Sequence, residues 1–215
     1  MLSFYAREYP RDPQFWPKRV AAGAISLNGQ VVQECKARVC RGDTLEYFRK
    51  PWVEPLVDLT LDVVHESATE VIVNKRPGLP VLPTGNFLEH TVLHLVRNAG
   101  WKTAVPAHRL GRGTSGLLVF ALTAEGRSGW ARRFREHGQV HKVYTAVLQG
   151  RVEWDELTVA VAIGVTSNGV FGAVQEGGKE SLSHFTCVKR AAQASVVRVR
   201  IVTGRPHQIL SLIHI

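Results

Sequence analysis

The sequence predicts an α+β protein: a mixed, largely antiparallel β-sheet core with flanking helices, preceded by a small N-terminal module. Three observations carry this prediction. Apolar runs of strand length recur from residue 56 onward, whereas only two segments there have a helical pattern. The first 50 residues are patterned differently from the rest. A stretch at 51–58 contains Pro51 and Pro55, which suit neither a helix nor a central strand, and we interpret it as a linker.

The N-terminal module is expected to contain a helix, a hairpin and a further strand. A helix is predicted over 15–23, with Pro17 in its first turn and Gly23 at its end. The alternating segment 24–32 is centred on the pair Asn28-Gly29, a strong hairpin signal. The segment 42–47 is typical of a turn followed by a strand.

In the larger part, the pattern predicts many strands and two helices. The helix near 124–137 has an acid in its first turn, basic residues late and Gly138 after it, which suits the helix dipole and a glycine stop. The other helix is expected near 89–98. Strands are predicted at about 61–64, 70–74, 117–122, 143–148, 157–163, 183–189 and 195–202.

Composition limits the class of protein. Of the 215 residues, 45% are hydrophobic and 21% charged, which is ordinary for a globular chain with one sizeable core. No apolar stretch approaches the roughly 18 residues of a membrane span, and the N-terminus has no signal pattern, so we expect a cytoplasmic protein without membrane contact. Cys35, Cys40 and Cys187 form no C-x-x-C pair, which favours reduced thiols and no metal site.

The charge balance points to an anionic partner. The 27 Lys and Arg against 18 Asp and Glu give a net charge of +9. Such an excess suits a polyanion, although a basic enzyme with small substrates would have it too. A local concentration of basic residues favours the polyanion: Arg127, Arg132, Arg133, Arg135, His137, His141 and Lys142.

The segment 108–116 admits two interpretations. Gly111-x-Gly113-x-x-Gly116 fits the dinucleotide-binding fingerprint, which requires a strand before the glycines and a helix after them. Here a strand-like apolar run, 117–122, follows the glycines. An oxidoreductase with a nicotinamide cofactor would therefore need a helix after Gly116, and a strand there excludes it.

The same segment resembles the signature of the RluA-type pseudouridine synthases, His-Arg-Leu-Asp-x-x-Thr-Ser-Gly followed by a strand. Three further segments resemble motifs of that family in the same order: 71–81 its Lys-Pro-x-Gly-Leu-x-Val turn, 142–150 its Lys-x-Tyr-x-Ala motif, and 203–209 its Thr-Gly-Arg-x-His-Gln-Ile motif. The one irregularity in the first is Arg76. The resemblance covers about residues 60–209, and the four motifs together are specific. The first 50 residues resemble a shortened S4-like RNA-binding module, although a plain capping hairpin would give the same pattern.

The resemblance implies isomerisation of uridine to pseudouridine in tRNA or rRNA, with the base flipped out of its stack and no cofactor. It implies that Tyr144 stacks on the base and that Arg205 pairs with the catalytic aspartate. Residues expected to contact RNA or shape the loop are Lys75, His108, Arg109, Arg112, Thr114, Arg132, Arg133 and Lys142. We give His108 and Thr114 mainly structural roles. RNA is the expected partner, the state a monomer, and no metal or nucleotide cofactor is expected.

The chain departs from the family at Gly111, where the catalytic aspartate is expected. Glycine has no group that could attack a sugar or stabilise charge. A carboxylate from elsewhere could substitute, with Asp62, Glu66 and Glu89 as candidates. The chain could instead bind and flip RNA without isomerising it, or position 111 could be a reading error. Because glycine tolerates unusual backbone conformations, we also considered a shifted loop.

The end of the chain also departs from the family. Residues 210–215 do not continue the family pattern and resemble the translation of a sequencing adapter. We therefore expect a catalytic domain over 59–209 that is incomplete at its C-terminus, followed by a non-native tail over 210–215.

Overall fold

The computed structural model describes residues 2–8, 14–49, 51–136 and 138–213 and divides into two units, Met1–Glu54 and Pro55–Ile215. The first unit has two helices, α1 (Leu2–Glu8) and α2 (Phe15–Ala21). Its sheet has the order β2-β1-β3, formed by β1 (Ile25–Leu27), β2 (Gln30–Val31) and β3 (Leu45–Tyr47).

The predicted hairpin and helix of the first unit are confirmed. Asn28 and Gly29 have φ values of 51° and 80°, and they join the paired residues Leu27 and Gln30. Two positive φ values in a two-residue loop are what a type I′ turn requires. Helix α1 was not expected. It contributes Tyr5, which stacks on Trp16 with ring centroids 4.3 Å apart in the core of this unit.

The second unit is built on two antiparallel sheets, as the α+β prediction requires. The four-stranded sheet has the order β4-β5-β7-β6 and the five-stranded sheet the order β10-β9-β11-β12-β8. The strands are β4 (Asp62–Glu66), β5 (Glu70–Lys75), β6 (Val105–Pro106), β7 (Gly116–Ala121), β8 (Lys142–Gln149), β9 (Glu156–Val165), β10 (Phe171–Ala173), β11 (Lys179–Arg190) and β12 (Ala194–Ile201). The helices are α3 (Val92–Asn98), α4 (Ala124–Arg135) and α5 (Gln208–Leu212).

Each sheet has its own apolar core. Alternate residues of β5, such as Val71 and Val73, pack with β7 and with Val92 and Val96 of α3. In the five-stranded sheet the core contains Ile163, Phe185, Val197, Val199, Ile201 and Leu212. In β5 and β12, buried residues alternate with less buried ones, the period of two that is expected of a strand with one buried face.

Both predicted helices of the second unit form, each with a threonine cap. The side chain of Thr91 accepts a hydrogen bond from the His94 amide, so α3 begins at Val92 rather than at 89. The side chain of Thr123 does the same for Gly126 at the start of α4. Helix α4 ends at Arg135, and His137, which we had placed at its end, lies outside the described residues.

Strand β7 decides between the two interpretations of the glycine-containing segment. Gly116 begins a central strand that pairs with β5 and β6, with Lys75 opposite Gly116. No helix follows these glycines, so no helix N-terminus faces a pyrophosphate and the dinucleotide-binding interpretation is excluded. Strands β6 and β10 and helix α5 were not predicted, since they contain only two, three and five residues.

Across the described ranges, no helix is both long and apolar enough to cross a membrane.

Candidate functional site

Strand β8 places Lys142 and Tyr144 at the edge of the five-stranded sheet. Tyr144 lies opposite Val199 and is half-buried against the core of that sheet. Burial raises the pKa of its phenol, so the ring is neutral at physiological pH. A neutral, partly exposed aromatic ring is suited to stacking on a planar base.

Lys142 lies against the Thr203-Gly204-Arg205 turn. Its Nζ donates to the carbonyl oxygen of Thr203 at 3.3 Å. A Cβ on Gly204 would lie 3.3 Å from the same Nζ, so the glycine allows this close approach. Burial, and secondly the charge of Arg205, lower the pKa of Lys142. The motifs around Tyr144 and Arg205, far apart in the chain, therefore meet at one place.

Two hydrogen bonds, one from the side chain and one from the backbone amide, hold Arg205. Its Nε donates to the carbonyl oxygen of Glu180 at 2.8 Å, and its backbone amide donates to Oε1 of Gln208 at 2.9 Å. Gln208 is itself bonded to Thr203, the first residue of the turn. The Nη edge of the guanidinium has no partner among the described residues. This is the edge that binds a carboxylate or phosphate through two hydrogen bonds.

His108 fixes the start of the 108–116 loop. Its Nε2 accepts a hydrogen bond from the Val119 amide at 3.2 Å, and its ring contacts Phe134 of α4 with centroids 5.0 Å apart. Burial, with a smaller contribution from the charge of Lys142, lowers the pKa of His108 to about 4. A histidine that is neutral near pH 7 and accepts a backbone hydrogen bond acts as a structural residue. The charge of Lys142 acts on His108, so the start of this loop lies within electrostatic range of β8.

Gly111 is exposed and does not need to be glycine. Its φ lies outside the left-handed region, which makes the shifted-loop explanation unnecessary. The Thr114 amide donates to the Gly111 carbonyl at 3.0 Å and closes a turn. A Cβ at position 111 would lie 3.3 Å from Oγ1 of Thr114, a contact that a small movement of the hydroxyl relieves. The backbone can therefore hold an aspartate here.

Lys75 is placed differently from our expectation of an RNA contact. It is only 2% exposed, and its Nζ donates to the carbonyl oxygens of Arg76, Leu79 and Arg112 at 2.8, 2.7 and 3.0 Å. Burial lowers its pKa to about 8. The Gly78 amide also donates to the Arg112 carbonyl. Lys75 therefore ties the turn after β5 to the loop beside Gly111, and it is not free to reach a phosphate.

Exposed arginines surround this loop. Arg109 and Arg112 lie on the loop itself, and the Arg112 guanidinium lies 5.7 Å from the ring of Phe87. Arg132 and Arg133 are exposed on α4. The contact between Phe134 and His108 brings the end of α4 to the base of the loop.

Two of the three candidate substitute carboxylates, those of Asp62 and Glu66, accept hydrogen bonds from other side chains. Asp62 accepts from the side chain of Asn74 at 3.0 Å, and Glu66 accepts from the Trp101 indole at 2.9 Å. Glu89 lies just before the cap of α3, where its carbonyl accepts from the Thr91 amide. The charges that lower the pKa of His108 and Lys142 are both positive, so the site has an excess of positive charge.

In the part of the chain that the structure describes, no three or more His, Cys, Asp or Glu side chains lie close enough together to hold a metal ion. Cys35, Cys40 and Cys187 are free thiols.

Sequence reasoning missed Gln208 and the Glu180 carbonyl. Gln208 lies within the motif 203–209, but nothing in that pattern indicated that its side chain would be buried against β11. Glu180 offers only a backbone group, for which the sequence contains no signal.

Comparison with known proteins gives one consistent result. Residues 70–213 match the family model described as RNA pseudouridylate synthase. An uncharacterized RNA pseudouridine synthase of Synechocystis is 37% identical over 214 residues, covering 97% of this chain and 73% of that protein. RNA pseudouridine synthase 5 of Arabidopsis thaliana is 34% identical, covering 96% of this chain and 65% of that protein. The solved structure of human RNA pseudouridylate synthase domain containing 1 aligns with a TM-score of 0.62 at 25% identity, covering 74% of this chain and 66% of that one.

Proposed function

Because the chain belongs to the RNA pseudouridylate synthase family, we propose that it isomerises uridine to pseudouridine in structured RNA, either tRNA or rRNA. The uracil leaves its sugar, rotates and is rejoined through carbon, without a cofactor. The base must first leave its stack, which costs a few kcal/mol and requires a pocket that receives it.

The observation that carries this proposal is the meeting of three segments that are distant in the chain. Lys142 bonds the turn that presents Arg205, and its charge acts on His108 at the start of the 108–116 loop. In this arrangement Tyr144 stacks on the flipped uracil, and the free Nη edge of Arg205 pairs with an anionic group. Lys142 adds a second positive charge for a phosphate beside the target nucleotide.

Gly111 is the proposed position of the family's aspartate. The backbone there accommodates a side chain, because its φ lies outside the left-handed region and only the Thr114 hydroxyl lies near an added Cβ. We propose that the site is intact apart from this group and that the missing carboxylate limits the rate. An RNA-binding protein that flips a base without isomerising it is the competing function, and Gly111 is the observation in its favour.

For RNA binding, we propose that Arg109, Arg112, Arg132 and Arg133 contact phosphates around the site. They are exposed on the loop and on α4, and the chain carries a net charge of +9. Thr114 holds the loop turn, and Lys75 acts from inside the protein. The N-terminal residues 1–50 remain a proposed S4-like RNA-binding module.

The test is release of tritium from carbon-5 of labelled uridine in bulk tRNA and rRNA. We expect slow release by the natural chain and much slower release by Arg205→Ala. The matched control is Arg151→Ala, which removes an exposed arginine whose Nε lies 3.8 Å from Glu153. Release by Gly111→Asp but not by the natural chain, with both proteins folded and binding RNA, would favour the competing function.

A further inference from the structure

Gln208 is a buried polar side chain at the end of the Arg205 turn. It is 3% exposed and begins helix α5, directly after His207, whose φ of 52° lies in the left-handed region. A buried side-chain amide is costly unless all its groups are bonded. At Gln208 they are.

The side-chain amide of Gln208 forms hydrogen bonds through both its oxygen and its nitrogen. Oε1 accepts from the Thr203 hydroxyl and from the Arg205 backbone amide, each at 2.9 Å. Nε2 donates to the Leu182 carbonyl at 3.2 Å and to the Ser183 hydroxyl at 2.8 Å. One side chain thus joins the turn 203–205 to strand β11.

The same strand also holds the guanidinium. Glu180, two residues before Leu182 in β11, offers the carbonyl that accepts from Arg205 Nε. The backbone of Arg205 is therefore fixed through Gln208 and its side chain through Glu180, both against β11. This leaves only the Nη edge free to turn toward a ligand.

We propose that Gln208 is the positioning residue for Arg205: its amide fixes the turn on β11 so that the Nη edge faces the reacting nucleotide. The inference rests on the proposed function, because it gives Arg205 a task in the reaction. Gln208 itself touches neither the base nor the sugar. Its effect on the reaction passes entirely through the orientation of Arg205.

Only a side chain that both accepts and donates can make these four bonds. Methionine has a similar length but would leave the Arg205 amide and the Thr203 hydroxyl without their acceptor. An ionised glutamate keeps the acceptor side and loses the donor side. A protonated glutamate regains one donor, so the Gln208→Glu protein should work better as the pH falls.

The experiment compares Gln208→Met and Gln208→Glu with the control Gln193→Met, which changes an exposed glutamine. Each change is made in the natural chain and in Gly111→Asp. We expect Gln208→Met to lower kcat by about 10²-fold, the cost of misplacing a group by about 1 Å, with KM nearly unchanged. The Gln208→Glu protein should recover activity toward pH 5, whereas the Gln193→Met protein should resemble its parent.

Amide deuterium exchange of residues 203–208 gives a second readout that needs no activity. We expect faster exchange in this segment of Gln208→Met while the core strands stay protected. Unchanged kcat, or a loss of kcat accompanied by equal loss of protection throughout the protein, would overturn the inference. If no protein releases tritium, including Gly111→Asp, the proposed function fails. The exchange measurement still tests the positioning role of Gln208 separately, because unchanged exchange of residues 203–208 in Gln208→Met would refute it.

Discussion

The 108–116 loop and the Arg205 turn are each held by one buried polar side chain, and the two side chains differ in kind. Lys75 holds the loop with a cation that only donates, to three backbone carbonyls. Gln208 holds the turn with a neutral amide that donates twice and accepts twice. The turn presents a complete functional group, Arg205, whereas the loop presents glycine at position 111.

The two regions are therefore sensitive to different kinds of substitution. Removing the Lys75 ammonium leaves the Arg76 and Leu79 carbonyls without the donor that they have in the fold. The amide carries no charge to desolvate, and its loss acts locally on Arg205. We therefore expect changes at Lys75 to affect the stability of the fold and changes at Gln208 to affect the reaction.

The largest effect should come from giving the loop the group that it lacks. We expect Gly111→Asp to raise the rate of tritium release by roughly 10³-fold or more, the scale on which loss of a catalytic group acts. The matched control is Gly113→Asp, where a Cβ meets nothing within 4 Å. Equal rates from the two variants would contradict the assignment of position 111.

Removing the loop anchor should cost the most stability. We expect Lys75→Met to lower the free energy of unfolding by about 3 kcal/mol, because buried carbonyls lose their donors. Lys102→Met, at an exposed lysine, removes the same charge and should have little effect. Urea denaturation of both proteins measures the difference, and similar midpoints would show that Lys75 is not an anchor.

His108 should also make the free energy of unfolding depend on pH. Burial lowers its folded pKa from 6.5 to about 4, so between these values the unfolded chain binds a proton that the folded chain does not. The free energy of unfolding therefore falls as the pH is lowered through this window, by up to about 3 kcal/mol. We expect His108→Gln to flatten this part of the pH profile in thermal unfolding. An unchanged slope would argue against a buried neutral histidine.

Two glycines of α4 provide a smaller, paired test of how closely this helix packs against the turn between β4 and β5. A Cβ at Gly126 would lie 2.5 Å from the backbone carbonyl of Thr69, whereas one at Gly129 meets nothing within 4 Å. We expect Gly126→Ala to destabilise by about 1–3 kcal/mol. Gly129→Ala should stabilise by up to about 1 kcal/mol through helix propensity. Thermal unfolding of the two variants checks the sign of each change.

The smallest effects should be those of single phosphate contacts. Arg132→Ala and Arg133→Ala are each expected to weaken RNA binding several-fold and to reduce the salt slope of log affinity by about 0.7–0.9. Arg151→Ala should leave the slope unchanged. Binding titrations at several salt concentrations measure it, and equal slopes for all three variants would remove α4 from the interface.

Local patterns were enough to predict most of the fold. Apolar runs of strand length indicated β5 and β7, Asn28-Gly29 indicated the hairpin, and the charge order of α4 indicated a helix. These features depend on neighbours within a few residues. Strand β6 and helix α5 were missed because each is shorter than a pattern can show.

The site was predictable only in part, for a physical reason. Motif order indicated Tyr144 and Arg205, whereas the roles of Lys75 and Gln208 depend on carbonyls distant in the chain. Lys75 reaches Arg112, 37 residues away, and Gln208 reaches Ser183, 25 residues away. A lysine in a motif looks like a phosphate contact until its burial is known.

The most direct test of the central claim, that loop and turn form one site, is a double-mutant cycle on tritium release. It compares the natural chain, Gly111→Asp, Arg205→Ala and the double variant on the same RNA under single-turnover conditions. If Asp at position 111 works together with Arg205, the gain from Gly111→Asp should fall to below about ten-fold when Arg205 is absent. The same gain in both backgrounds would mean that the two segments do not act on one uridine.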